Sequence, residues 1–281
     1  MLRTTRSILS ALALATLASA AQAQGPVTFT WSPPANPASA NWSVSGNWLN
    51  DGGLSNTYPG NGRSDDIVAI SDAGATVPPV LNVSVTILSM TVNHGATLYL
   101  GESATERVLT VTAPVGVTLA AGSTIDIGQA GQTYAARLQL EPTGSNTMPI
   151  NGTLKVSNSN AKIQVNASGV TATLGGSGIL DNRGAVKALA GTTAVLGSSL
   201  VLTDTASSGT NRWVADGSSA TLQFNKAFTG GSALSGDFAV ANSGALNFQA
   251  SVTTAGGYNA TCSSVTTASG VTFTYASGHC P

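Results

Sequence analysis

Charge is the scarcest commodity in this chain: Asp, Glu, Lys and Arg together make up 8% of its 281 residues, roughly a third of the usual share. With so few basic residues there is no positive patch, which argues against nucleic acid or an anionic membrane surface as a partner. Aromatics are also thin, at 5%, so the core must be built mostly from aliphatic side chains. Two histidines far apart, His94 and His279, make neither a metal site nor a paired base. Both are expected to be structural. Two cysteines exclude a dense disulfide scaffold, and their spacing excludes a C-x-x-C metal or redox motif. The chain contains no G-x-S-x-G, no H-E-x-x-H and no phosphate-cradling loop. After the first residues no apolar run reaches 18, so no transmembrane helix is expected. Helix signals are missing as well: apolar residues do not recur at i, i+3, i+4, i+7.

The first residues form a leader. Arg3 and Arg6 precede the apolar run "ILSALALATLASA", and "AQA" at 21–23 places small residues where signal peptidase cuts. Residues 1–23 are therefore expected to be a signal peptide cleaved after Ala23, exporting the protein to the periplasm, cell surface or medium. Removing Arg3 and Arg6 takes Lys+Arg from 11 to 9 against 12 Asp+Glu, a net charge of −3. In an exported protein Cys262 and Cys280 are expected to form a disulfide closing the segment 261–281. It would contribute about 3 kcal/mol by loop entropy.

What the chain has instead is alternation. Val83, Val85 and Ile87 alternate with Ser84 and Thr86, and Leu98 and Leu100 flank Tyr99. The same period of two recurs at Val115, Val117 and Leu119, Ile125 and Ile127, Leu138 and Leu140, Leu154 and Val156, Ile163 and Val165, Leu222 and Phe224, and Leu246 and Phe248. Each run is short and bounded by Gly, Asn, Ser or Asp, the mark of strand and turn in steady succession. Glycines at 95, 116, 152, 191, 217 and 244 stand before such pairs, spaced loosely in steps near 20 to 27 residues or two steps merged. One coil of a parallel β-helix, three short strands with turns between, has that length. The expected fold is all-β: a single-stranded parallel β-helix over residues 80–260, with seven to nine coils and a length of about 35 to 45 Å at the inter-strand spacing. The alternative is an antiparallel β-sandwich, which would bring two-residue hairpin signals and more core aromatics.

Residues 24–79 differ in composition, holding Trp31, Trp42 and Trp48 of the four tryptophans. A β-helix leaves open edges and a slice of exposed core at its ends. These three rings are expected to cap the first coil, large rings being needed once, where the stack begins. The stretch also resembles the start of bacterial exported β-helix proteins in Trp31, Asn41-Trp42, Gly46-Asn47-Trp48, Pro59-Gly60 and Asp65-Asp66. Likewise "GGSGILDNRGAV" at 175–186 resembles the turns of autotransporter-passenger and haemagglutinin-like β-solenoids. The resemblance implies a secreted or surface-exposed β-helix protein, structural or adhesive, and transfers no catalytic residue. It departs from autotransporters in having no C-terminal barrel of long amphipathic strands.

Pectinase-like enzymes also use β-helices, so a polysaccharide-active enzyme or carbohydrate-binding protein is the second reading. Such chemistry needs carboxylates beside basic groups. The carboxylates within the coils are Asp126, Glu141, Asp181, Asp204, Asp216 and Asp237; Arg107, Arg137, Lys155, Lys162, Arg183, Lys187 and Arg212 are the bases. If the protein were enzymatic, the pair to test is Asp181 and Arg183 in "DNRG", although Asp and Asn are ordinary turn formers. Convergence of three or more carboxylate and basic groups within about 6 Å on one face would favour the enzyme, and scattered charges the scaffold. No cofactor and no metal are expected. In "GRSDDIVAI", Asp65 is expected to hydrogen-bond the turn and Asp66 to cap the first strand. Threonine pairs such as Thr110/Thr112 and Thr171/Thr173 resemble ice-binding faces but recur too irregularly for a flat array. Between residues 89 and 200 the only aromatic platforms for sugar are Tyr99 and Tyr134, both placed outward. The expected partner is a surface glycan or a cell-envelope component.

Overall fold

A short strand that alternates aliphatic with Thr, Ser or Asn has one apolar face, and stacking such strands in register buries that face along the whole chain. The computed structural model does this. It describes residues 25–35, 37, 39–50, 53–71, 77–204, 211–226 and 237–280, and the expected signal peptide lies outside them. The chain winds as a parallel β-solenoid of about 7 turns, each turn contributing one strand to each of three faces. The antiparallel sandwich is not formed.

The first face joins a six-stranded sheet to another six-stranded sheet through a parallel bridge between Leu119 and Ile150. The second carries six strands and the third seven. Inward residues stack rung on rung. On the second face Leu98, Ile125, Leu154, Leu180 and Leu202 lie in register, giving coils of 27, 29, 26 and 22 residues. On the third the column is Val85, Leu109, Leu138, Ile163, Val186, Trp213 and Phe238. All of these are buried in one continuous core.

The glycine spacing was irregular because its members sit at two different corners. Gly95 and Gly152 precede second-face strands, whereas Gly116, Gly191, Gly217 and Gly244 precede first-face strands. The motif "GGSGILDNRG" is a pair of such corners. At Gly178 an added Cβ would lie 2.1 Å from the Gly152 carbonyl oxygen, and at Gly184 2.2 Å from that of Ala161. Asn182, inward and fully buried, accepts the Gly184 N–H at 3.2 Å. These residues turn the chain, as the turn signals of that motif imply.

Both ends of the parallel stack are closed by antiparallel strands. At the start, Thr28–Trp31 pairs parallel with Ile67–Ile70 but antiparallel with Trp48–Asn50. Residues 40–42 meanwhile cover the edge strand Val80–Leu81 through Trp42 N–H to Val80 O at 2.8 Å and Val80 N–H to Ala40 O at 2.9 Å. Trp31, Trp42 and Trp48 are buried edge to face, with Trp48 4.9 Å from Trp31 and 4.7 Å from Trp42. Each indole N–H donates to a carbonyl: Val77, Pro59 and Trp42 respectively. At the far end Phe273–Tyr275 pairs parallel with Val252–Thr253 and antiparallel with Gly278–Cys280, and Cys280 is bonded to Cys262.

Two expectations need correcting. Parallel pairing already includes Ile67–Ile70 and still includes Val265–Thr267, so the stack outreaches 80–260 at both ends. Large rings are also needed twice: Trp213, Phe224, Phe238, Phe248 and Phe273 form a second cluster at the C-terminal end, with neighbouring centroids 4.5 to 6.3 Å apart. Sequence position hid it, since these rings are spread over 60 residues and meet only when coils of about 25 residues stack.

Candidate functional site on the third sheet

Outward positions of the third sheet form their own columns. Thr86, Thr110, Gln139, Gln164 and Lys187 lie in register, and beside them run Val108, Arg137, Lys162 and Ala185. Charge collects here. Glu106 contacts Lys162 Nζ at 2.7 Å and Arg137 at 3.2 Å, and Arg137 also donates to Gln164 Oε1 at 2.9 Å. Arg107 approaches Glu102 at 3.9 Å, and Lys187 approaches Asp216 at the same distance. Glu141 accepts hydrogen bonds from Gln139 and Asn166.

By count, Glu106 with Arg137 and Lys162 meets the convergence expected of an enzyme. Its chemistry is different: one carboxylate is held by two cations, and among the described residues no second carboxylate joins them to complete an acid/base pair. Sequence reasoning missed Glu106 because it lies in the loop before a strand, where the alternation carries no information. The register alone brings it beside two later coils.

Concavities flank this cluster at both ends of the sheet. At the N-terminal end the loop at Gly60–Ser64 lies against the edge strand Val85–Ile87, so that a Cβ on Gly60 would sit 2.6 Å from that of Val85. A groove of about 420 Å³ results, with Arg63, Ser64, Ser84, Thr86 and Thr110 among its walls. Asp66 shapes the loop. Its Oδ2 accepts the Gly60 N–H at 2.8 Å and its Oδ1 lies 3.3 Å from Arg63 Nε, while burial raises its pKa above the ordinary aspartate value. The role expected of Asp65 thus falls to Asp66: the buried Asp66 holds the turn, because the aspartate entering the strand on the inward side is the one that meets the loop backbone, while Asp65 pairs with Arg63 at 2.9 Å. At the C-terminal end a smaller cavity of about 160 Å³ is lined by Asp237, Phe238, Gly257, Tyr258 and Asn259.

The pair singled out by sequence, Asp181 and Arg183, sits on a different face. Asp181 points outward from the second sheet, 3.5 Å from Arg183 Nε, and accepts from Thr203 at 3.2 Å. Lys155 stands between Asp126 and Asp181 in register, but Asp126 is buried and bound to Ser157 and to the Ala130 N–H. Asp204 is buried too, accepting the Trp213 indole N–H at 2.9 Å. These carboxylates hold structure. The side chain of Arg212 lies outside the described residues. Among the described residues no group of three His, Cys, Asp or Glu could hold a metal ion, and no helix is long and apolar enough to cross a membrane. Compared with known proteins, the chain matches no family model, no curated sequence and no solved structure.

Proposed function

We propose that this is an exported adhesive scaffold without catalytic activity, and that the third sheet is its contact face toward a surface glycan or other cell-envelope component. The observation that carries the reading is the make-up of that face. In-register hydroxyl and amide side chains run along it, and most of its cations are engaged by carboxylates, Arg137 and Lys162 by Glu106, Arg107 by Glu102 and Lys187 by Asp216, leaving a largely neutral hydrogen-bonding strip between two concavities. Such a surface suits an uncharged, hydroxyl-rich polymer, because each contact exchanges a water hydrogen bond for an equivalent one at little desolvation cost. Many weak contacts repeated along a stiff rod add up to retention. The resemblance to exported solenoids and the leader expected from the sequence at residues 1–23 support the location.

A polysaccharide-active enzyme is the second reading, favoured by the convergence at Glu106. One experiment separates the two: the mature protein is passed over immobilised polysaccharides, and the same polymers are assayed for cleavage. Retention without turnover, equal in wild type and Glu106→Gln, is the expected result. Reproducible cleavage lost in Glu106→Gln or Asp181→Ala overturns the scaffold.

A further inference from the structure

The small cavity at the C-terminal end of the third sheet arises from how the ladder stops. Asp237–Ala241 is the seventh strand. Beyond it the chain adds only a fragment of an eighth: Phe238 N–H donates to Gly257 O at 2.9 Å, Asn259 N–H donates to Phe238 O at 3.3 Å, and pairing ends at a single bridge between Phe238 and Tyr258. Three polar or aromatic side chains meet at this fragment, each fixed from behind.

Asp237 is held through one oxygen. Its Oδ1 accepts the Gly257 N–H at 2.6 Å, and a Cβ on Gly257 would stand 3.5 Å from that oxygen; Oδ2 has no partner among the described residues. Asn259 is anchored likewise: its Oδ1 accepts the Val240 N–H at 2.9 Å, which fixes the amide orientation and leaves Nδ2 a donor without a partner there. The Tyr258 ring lies edge-on to Phe273 at 5.4 Å and to Tyr275 at 5.5 Å, and its hydroxyl donates to Thr261 O at 3.0 Å. That ring is half-buried and cannot swing away. Phe238 also borders the cavity, while its ring is buried in the core cluster.

We infer that this pocket binds one neutral sugar ring, an inference that rests on the reading of the third sheet as a glycan-contact face. A carboxylate oxygen and an amide donor without partners among the described residues can take the two roles of neighbouring hydroxyls, one donating and one accepting. An aromatic ring accepts the C–H face of a pyranose. At about 160 Å³ the cavity falls well below the roughly 300 Å³ of pockets that enclose larger ligands, so it takes a single ring at a chain end or branch. Asp237 repels a uronate or sialate, since no cation is among the described residues that line the cavity.

The test uses the mature protein, saturation-transfer NMR with glucose, galactose, mannose and fucose, and glucuronate as the charged control. Two variants keep the internal bonds and change only the free atoms. Asp237→Asn keeps an acceptor for Gly257 N–H, and Asn259→Asp keeps one for Val240 N–H while removing the donor. At least one neutral sugar shows transfer to wild type, glucuronate shows none, and both variants bind about tenfold more weakly with unchanged thermal melts. Absence of transfer from every neutral sugar, or transfer that survives both substitutions, overturns the pocket. Polysaccharide retention by wild type and both variants, with no transfer from any neutral sugar, overturns the pocket and leaves the adhesive reading standing. Sugar binding at the pocket without retention on any polymer or cell surface supports the pocket and overturns the adhesive reading.

Discussion

Asp66 shows how one side chain sets the shape of the groove and sets a direction for the pH dependence of stability. It is 1% exposed, bonded to the Gly60 N–H and adjacent to Arg63, yet burial outweighs these partners and its pKa lies above 3.8. The folded state therefore binds a proton at a pH where the unfolded chain has not. Between the folded value and about 3.8, falling pH adds stability through this group, and at neutral pH the cost of its charge is fully present. Asp66→Asn keeps an acceptor for Gly60 without the charge. Urea unfolding at pH 7 and pH 4 is expected to show wild type gaining relative to Asp66→Asn on acidification. A relative loss would mean that the Arg63 contact dominates. Asp66→Ala, which strands the Gly60 N–H, is expected to cost about 1–3 kcal/mol at both values.

Strands and corners differ in how far sequence alone could place them. Alternation marks a strand within five residues, so the inward pairs Leu98 and Leu100, Ile125 and Ile127, Leu138 and Leu140, Leu154 and Val156, and Ile163 and Val165 could be read directly from the chain, whereas the register that stacks them with Leu109, Leu180, Val186 and Leu202 could not. Corners could be recognised only by composition, because their geometry depends on the coil below. Nothing local distinguishes Gly178, whose φ is not positive, from an ordinary turn glycine. Its necessity comes from the Gly152 and Ile150 carbonyl oxygens, at 2.1 and 2.6 Å from where a Cβ would be. The same dependence hid the site: Glu106, Arg137 and Lys162 are 31 and 25 residues apart in the chain and adjacent only once three coils are in register, and the Asp237 pocket needs the partial rung at Tyr258. The corner is testable. Gly178→Ala must push backbone against backbone and is expected to cost about 1–3 kcal/mol, seen as a lower urea midpoint at unchanged m-value. The neighbouring Ser177→Ala, at an exposed position, should stay within about 0.5 kcal/mol. Equal midpoints for the two variants would show that adjacent coils are not stacked this closely.

Taken whole, the molecule is a rod whose stability and surface both depend little on charge. The inward columns form one uninterrupted hydrophobic core from Phe29 to Cys280, closed at each end by antiparallel strands and clustered rings. Apart from Arg63–Asp66, whose carboxylate is buried, the ion pairs of the described residues are partly exposed, and each is worth only about 0–1 kcal/mol. Salt shortens the reach of exposed charges from about 10 Å at 0.1 M to about 3 Å at 1 M, while hydrogen bonds between neutral groups and apolar contacts are left nearly untouched. Adhesion through hydroxyl and amide columns should therefore persist where an electrostatic attachment fails. Retention of the mature protein on its polymer is expected to change by less than about twofold between 0.05 and 0.5 M NaCl, whereas a partner held by several ionic contacts would be lost by orders of magnitude over that range. The thermal midpoint measured in the same buffers should be correspondingly flat. Release at 0.5 M salt with an unchanged midpoint would place the binding energy in the Arg107, Arg137, Lys162 and Lys187 side chains instead, and would make the partner an anion and not a neutral glycan.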